Sequence, residues 1–351
     1  MTHTDSPRRA VLNLRDERPA WALPAATAAA LAGAFPADWE VIDVQAPVSG
    51  RGDGGGLSAE ALAAVRGAEV WIGYGFPREL LAAHMAHGPI TLRWIHTAAA
   101  GVRSMMHAPL LDAGVRITNA AGVHAEPIAD TVLAGMLHFA RGVDFAVRSQ
   151  QQHRWEKEPF EEARGDIREL AGAQVGIVGY GGIGRAVARR SAALGMRVQA
   201  LRRSSAADAP GVRMVHGGDG LDTLVSTSDY LVVALPSTTV TERLLDAARL
   251  ARMPAHAVLI NVGRGDVIDE AALVDVLAGR RIRGAVLDVF ETEPLAPDSP
   301  LWSLENVLVL PHVSATTPRF WERQTDLILD NVRRYLSGDP LRNRVDASRG
   351  Y

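Results

Sequence analysis

The sequence predicts an α/β protein of two domains, each a parallel sheet wound by helices. Three observations carry that prediction. The chain has 351 residues, too many for one ordinary core of about 100 to 200 residues. Short apolar runs alternate with alanine-rich helical stretches along most of its length. In the middle lies Val175-Gly-Ile-Val-Gly179-Tyr-Gly181-Gly-Ile-Gly184, an apolar strand ending in glycines that open onto a small-residue helix. There Gly179 makes the tight turn and Gly181 offers no side chain to an approaching phosphate. Gly184 lets the helix pack close on its sheet, and Gly182 and Ile183 open the helix whose N-terminus meets negative charge. In a chain with 33 glycines the same run also reads as a purely structural strand-to-helix turn.

Before the glycine loop, apolar runs at Val11 to Leu14, Trp39 to Val44, Val70 to Gly73, Leu92 to His96 and Val115 to Asn119 predict strands separated by helices. Arg51 to Gly56 is a glycine-rich linker, because no Gly-Lys-Ser/Thr follows to make it a phosphate loop. From Ile128 to Val147 apolar residues recur at helical spacing, which predicts one long connecting helix, and Gln150 to Arg168 turns polar as a surface excursion. Beyond the loop, Val198 to Leu201, Tyr230 to Leu235, Ala257 to Val262, Gly284 to Val289 and Val307 to Leu310 are continuous apolar strands, the pattern of a parallel sheet buried on both faces. Asp269 to Ala278, closed by Gly279, is one of the intervening helices. After Pro311 a last helix carries Trp321, Ile328, Val332 and Leu336 on one face and returns to the first domain. The expected division is 1–120 with 316–351 for one domain and 121–315 for the dinucleotide-binding domain.

Composition narrows the chemistry. Hydrophobic content of 47%, charged content of 22% and a net charge of −3 describe a soluble globular protein with no electrostatic pull toward nucleic acid. The absence of cysteine removes disulfides, thiolate nucleophiles and cysteine-based zinc sites. Arg8-Arg9 and the alanine-rich stretch from Ala25 imitate an export signal, but Arg15, Asp16, Glu17 and Arg18 interrupt any apolar region. No segment offers the roughly 18 apolar residues a bilayer requires. The reading is a cytoplasmic protein with no membrane partner and no metal.

In open parallel sheets ligands collect beyond the carboxyl ends of the strands. Three strand ends carry polar residues: Gly263-Arg264-Gly265 after Val262, Asp288 and Glu293 after the next strand, and Pro311-His312 after the last. Glycines beside Arg264 allow close approach, and a guanidinium fork binds a carboxylate through two parallel hydrogen bonds. Taken alone, Arg264 reads equally as a surface arginine. An imidazole at a cleft mouth exchanges protons near neutral pH, and a carboxylate from Glu293 beside His312 would fix its tautomer and favour the imidazolium. A capping or core histidine and a solvated turn glutamate are the plain alternatives.

With these residues on view, the chain resembles the D-isomer-specific 2-hydroxyacid dehydrogenases over nearly its whole length. The resemblance runs through Leu170-Ala-Gly172 and the glycine loop, Asn261-Val-Gly-Arg-Gly265, Leu287-Asp-Val-Phe-Glu-Thr-Glu-Pro294 and Leu310-Pro-His-Val313. In the first half it runs through His96-Thr-Ala-Ala-Ala-Gly-Val102 and Ile117-Thr-Asn-Ala-Ala-Gly-Val-His-Ala-Glu-Pro127. It implies a Rossmann dinucleotide-binding domain beside a flavodoxin-like substrate domain, with the cleft between them. It further implies that Arg264 anchors a substrate carboxylate, helped by the backbone amides of Ala100, Gly101 and Val102. His312 is then the general acid/base and Glu293 its partner, Asp288 lies near the nicotinamide carboxamide, and Pro236 and Thr241 border the cofactor. A homodimer formed through Ile128 to Arg168 also follows from the resemblance.

Two departures stand out. Asp130 replaces the family's usual glutamate, a change expected to be minor. The strand after the glycine loop ends in Arg202-Arg203-Ser204 where an acidic residue would bind the ribose 2′-hydroxyl. Two guanidiniums and a hydroxyl invite a 2′-phosphate, so NADP(H) is the preferred cofactor and NAD(H) the alternative. The expected reaction is reduction of a small 2-oxoacid of the glyoxylate or hydroxypyruvate type to its D-2-hydroxyacid. A bulkier 2-oxoacid, over which Trp321 would close, and a nucleotide-sensing corepressor on the same fold are the alternatives. A methyltransferase using the loop for S-adenosylmethionine is disfavoured by the three strand-end residues. Formate oxidation is disfavoured by Glu293, where formate dehydrogenases carry glutamine, and phosphoglycerate oxidation by the end of the chain at Tyr351.

Overall fold

The computed structural model describes residues 7–47, 57–86, 88–161, 167–202 and 208–346, with the backbone alone at 103 and 159. The linker expected at Arg51 to Gly56 and the Arg203-Ser204 pair lie outside the described residues. The chain divides into two compact units, 1–123 with 316–351 and 124–315.

The first unit contains β1 (Arg8–Asn13), α1 (Ala25–Ala32), β2 (Trp39–Asp43), α2 (Ala59–Ala64), β3 (Val70–Gly73), α3 (Arg78–Met85), β4 (Trp94–Thr97), α4 (Ala108–Asp112) and β5 (Arg116–Thr118). The chain leaves it and returns as α12 (Phe320–Ser337). Its five strands are parallel in the order β2-β1-β3-β4-β5, the flavodoxin-like arrangement. Period-two alternation divides the core between two faces. Ala10, Leu12 and Ile72 meet Leu31, Phe320 and Ile328 on one side, and Val11, Trp71 and Ile95 meet Leu80 and Leu110 on the other. Trp321 is buried in the first of these layers, with its indole N–H on the Trp21 carbonyl at 3.2 Å. The C-terminal segment covers the free edge of β5, where Val345 donates to the Ile117 carbonyl at 2.9 Å.

The second unit begins with α5 (Ala125–Ala140), α6 (Val143–Gln151) and α7 (Glu158–Glu161). The continuous helix expected over this stretch is broken at Gly142. Its φ of +63° ends one helix and starts the next, and a side chain there would strike Ile167 and Phe160. Next come β6 (Gln174–Val178), α8 (Gly182–Ala193), β7 (Arg197–Arg202), β8 (Val212–His216), α9 (Gly217–Thr227) and β9 (Tyr230–Val233). The unit closes with α10 (Ala247–Leu250), β10 (Val258–Asn261), α11 (Glu270–Ala278), β11 (Gly284–Leu287) and β12 (Val307–Val309). All seven strands are parallel, in the order β12-β11-β10-β9-β6-β7-β8. β8 is an addition to the expected set. Its sequence, Val-Arg-Met-Val-His, alternates as an edge strand does and lacks the continuous apolar run that marks its neighbours.

Strand order reverses between β6 and β9, and open α/β sheets bind ligands beyond the carboxyl ends at such a switch point. α5 and α8 cover the same face of the sheet. Arg189 and Arg190 of α8 clamp Glu126, and the Arg189 hydrogen bond is the main reason its carboxyl lies below the usual range. Asp130 takes the second bond of Arg190 at 2.8 Å, so the shorter acid still reaches its partner. No helix among the described residues is long and apolar enough to cross a membrane.

Candidate active site

At the switch point β6 ends in Gly179, whose φ is +109° and whose missing Cβ would press on the Ala234 carbonyl at 2.8 Å. A Cβ on Gly184 would run into the Gly179 carbonyl, so that glycine sets how closely α8 approaches the strand. Gly181 differs from both: nothing lies within 4 Å of the position its Cβ would occupy. Internal packing therefore gives no reason for its missing side chain, and the open space fits a phosphate. α8 starts at Gly182 without a side-chain cap, which leaves its first-turn amides to an anion. Ile183 anchors this turn against the core beneath α8. The local arrangement fits a dinucleotide pyrophosphate.

After β9, the Thr241 hydroxyl donates to the Pro236 carbonyl at 2.8 Å and accepts from the Thr238 amide at 2.8 Å, closing a compact turn. Ser237 in this turn donates to Asp266 at 2.5 Å, linking it to the segment after β10. At the end of β7 the Arg202 side chain is exposed, with no ion-pair partner among the described residues.

Arg264 follows β10 and is exposed between two buried glycines. A Cβ on Gly263 would meet the Leu235 carbonyl at 2.6 Å, and one on Gly265 would sit on the Phe290 carbonyl group. Asn261 shapes the turn, donating to the Arg264 carbonyl at 3.0 Å and accepting from the Gly263 amide at 3.1 Å. The guanidinium donates to the Gly263 carbonyl at 2.7 Å, which leaves further donors of its fork for a ligand.

His312 and Glu293 come together. His312 Nδ1 lies 2.7 Å from Glu293 Oε2, and Glu293 Oε1 accepts from the Phe290 amide at 3.1 Å. A carboxylate can only accept, so Nδ1 carries the hydrogen and Nε2 is the ring nitrogen left outside this contact. The imidazole side chain is 47% exposed, open to a substrate. The backbone that presents it turns sharply: His312 N–H donates to the Leu310 carbonyl at 3.1 Å across Pro311, and His312 has φ of +54°.

Asp288 is 1% exposed, and its carboxylate faces the same turn. It accepts from the Val313 amide at 2.8 Å, from the Ser314 amide at 3.2 Å and from the Ser314 hydroxyl. The side chain foreseen as a cofactor contact thus also braces the residues just after His312. Ser314, Asn261 and Ser237 are the parts that reading along the chain missed. Asn261 stands inside a recognised motif, whereas Ser314 has no local signal.

Ala100, Gly101 and Val102 lie in the first unit, after β4. Asn119 donates to the Ala100 carbonyl at 2.8 Å, and the three backbone amides have no acceptor among the described residues.

Comparison with known proteins identifies the family. Residues 133–314 match the model of the D-isomer specific 2-hydroxyacid dehydrogenase, NAD binding domain. The chain is 36% identical over 264 residues to glyoxylate/hydroxypyruvate reductase B of Pectobacterium carotovorum, covering 75% of this chain and 81% of that protein. It is 32% identical over 258 residues to D-3-phosphoglycerate dehydrogenase of Archaeoglobus fulgidus, covering 73% of this chain but only 47% of that protein, about half its length. Among solved structures, a D-isomer specific 2-hydroxyacid dehydrogenase from Xanthobacter autotrophicus in complex with NADPH and MES superposes with a TM-score of 0.77 at 31% identity, over 99% of this chain and 100% of that one. An NADPH-dependent glyoxylate/hydroxypyruvate reductase from Sinorhizobium meliloti, in complex with NADP and sulfate, gives 0.75 at 28%, over 98% and 100%. A family match across half the chain, on a fold whose strand ends carry the glycine loop, Arg264 and the Glu293–His312 pair, leads to one assignment: the chain belongs to the D-isomer specific 2-hydroxyacid dehydrogenases, an NAD(P)-dependent oxidoreductase family.

Proposed function

We propose that this protein reduces a small 2-oxoacid of the glyoxylate or hydroxypyruvate type to the D-2-hydroxyacid, with NADPH as the preferred reductant. When bound, the reduced nicotinamide supplies the hydride to the carbonyl carbon. His312 Nε2–H gives a proton to the carbonyl oxygen, and the remaining neutral ring is recharged from solvent. Glu293 holds Nδ1 protonated and so keeps Nε2 directed outward. Arg264 binds the substrate carboxylate through its free donors, and in the first unit the amides of Ala100, Gly101 and Val102 are offered as carboxylate-binding groups.

The single observation that carries this reading is the 2.7 Å contact between His312 and Glu293 at the strand ends next to Arg264. NADP(H) preference is supported by Arg202, which has no ion-pair partner among the described residues, and by the non-acidic Arg202-Arg203-Ser204 sequence. The substrate class is supported by the two reductases named above. A homodimer through α5 and α6 is part of the proposal, because Leu137, Val143 and Val147 are exposed there and Trp155 is 92% exposed. We also place the protein in the cytoplasm, acting on small molecules and not on nucleic acid.

Steady-state kinetics with glyoxylate, hydroxypyruvate, pyruvate, phenylpyruvate and branched 2-oxoacids, each with NADPH and NADH, test the proposal. Glyoxylate or hydroxypyruvate with NADPH gives the highest kcat/KM, and His312→Ala lowers kcat by at least about 100-fold. Normal turnover in His312→Ala removes that residue from the chemistry. No turnover with any oxoacid favours a nucleotide-binding role without catalysis.

A further inference from the structure

We propose that His216, at the end of β8, is a second recognition element for the cofactor 2′-phosphate beside Arg202, an inference that rests on the NADP(H) reading above. The register carries it. β6, β7 and β8 are adjacent and parallel, with Val178 paired to Leu201 and Leu201 to Val215. The next position on each strand is Gly179, Arg202 and His216, and Arg202 and His216 are direct Cα partners. Gly179 begins the turn directly after β6, while Arg202 and His216 face each other as paired residues at the ends of β7 and β8, about 4.8 Å apart.

The pair has a defined face. Val198 pairs with Val212 and Ala200 with Met214, all four in the core under α8. Arg202 and His216 continue that row by two residues and share its side of the sheet. A nucleotide with its pyrophosphate at the start of α8 would extend toward this edge, where Arg202 and His216 could hold a 2′-phosphate.

The chemistry at the edge suits an anion. Arg202 and His216 have no hydrogen-bond or ion-pair partner among the described residues, and His216 Nδ1 is buried without one. A buried polar nitrogen without a partner is unfavourable, and a ligand that hydrogen-bonds it would relieve that. His216 is also the N-cap residue of α9, with no side-chain cap, so its ring is not engaged by the first turn of that helix. Two acids lie close in sequence. Asp208 is engaged by the Met214 amide at 2.7 Å, and Asp219 is exposed in the first turn of α9. Arg213 pairs with Gln199 in the register and occupies the opposite face.

The test measures binding of two nucleotide fragments, 2′,5′-ADP and 5′-AMP, to the intact chain by titration calorimetry. Wild-type protein binds 2′,5′-ADP more tightly. His216→Ala raises its Kd about tenfold, the size of one charge-assisted hydrogen bond at a partly exposed site, and changes the 5′-AMP Kd less than about twofold. His216→Gln, which keeps an N–H donor, recovers part of the loss. His216→Glu keeps a polar side chain of similar reach with reversed charge and abolishes the discrimination, so the role is testable even if the alanine variant does not fold. An unchanged ratio of the two Kd values in folded His216→Ala or His216→Glu overturns the role of His216 alone. Equal affinity of wild-type protein for both fragments overturns the NADP(H) reading itself.

Discussion

Replacing Asp288 tests whether the acid/base turn is held from below. Its carboxylate accepts two backbone N–H groups and one hydroxyl from Val313 and Ser314, in a nearly solvent-free position. In Asp288→Asn one oxygen remains for the Val313 amide and the Ser314 hydroxyl can reverse to accept. What is lost is the charge on two bonds, about 2 kcal/mol in all. Asp288→Ala removes every acceptor and leaves the buried Ser314 amide unpaired, for about 4 kcal/mol. At roughly 2–4 °C per kcal/mol for a unit of this size, the alanine variant melts about 10 °C lower and the asparagine variant about 5 °C lower. His312 sits at φ +54°, a conformation costing about 1–3 kcal/mol outside glycine, and the bonds to its two successors help hold it there. With them weakened, the turn relaxes and Nε2 leaves its working position, so kcat in Asp288→Asn falls at least tenfold, about 1.4 kcal/mol in the barrier. Scanning calorimetry and steady-state kinetics on both variants supply the data. An Asp288→Ala protein that melts within 2 °C of wild type would refute the bracing argument, since three accepted bonds cannot vanish from a dry site without cost.

Two glycines of the same loop separate folding from binding. Gly181→Ala has open space around the new methyl group and leaves Tm within about 2 °C, while dinucleotide affinity drops at least about tenfold. Gly184→Ala drives its methyl group into the Gly179 carbonyl and loses about 1–3 kcal/mol of stability. Equal Tm values for the two variants would contradict this assignment. A pH effect follows from His96, fully enclosed between Thr118 and Gln324, where burial pushes its imidazole down to about 3. The unfolded chain binds that proton near 6.5 and the folded chain does not, so stability falls with pH between 6.5 and about 3, by up to about 1.4 kcal/mol per pH unit. His96→Gln flattens that slope in urea titrations from pH 7 to 4. An unchanged slope would mean His96 titrates normally.

The parallel strands and the helices between them were legible because each has its own signal: a continuous apolar run such as Tyr230 to Leu235, or a capped helix such as the one after Asp269. Arg264, Glu293 and His312 stood out as polar residues beyond strand ends, which converge on one edge of a parallel sheet, but each read as well as an ordinary surface, turn or capping residue until the family resemblance gave it a role. Gly142 escaped because the apolar spacing of its neighbours continues through it, and only the side chains of Ile167 and Phe160 reveal the break. β8 escaped because Arg213 interrupts its apolar run and His216 ends it. Sequence by itself determined the two-sheet α/β architecture and the glycine-rich strand-to-helix turn, both written in local periodicity and spacing, while the roles expected of Glu293 and His312 came from the family resemblance. Tertiary structure alone decided that Asp288 holds the turn behind His312, that Asn261 shapes the Arg264 loop and that His216 stands beside Arg202. Those relations depend on register and on hydrogen bonds between residues distant along the chain, and no local pattern of side chains encodes them.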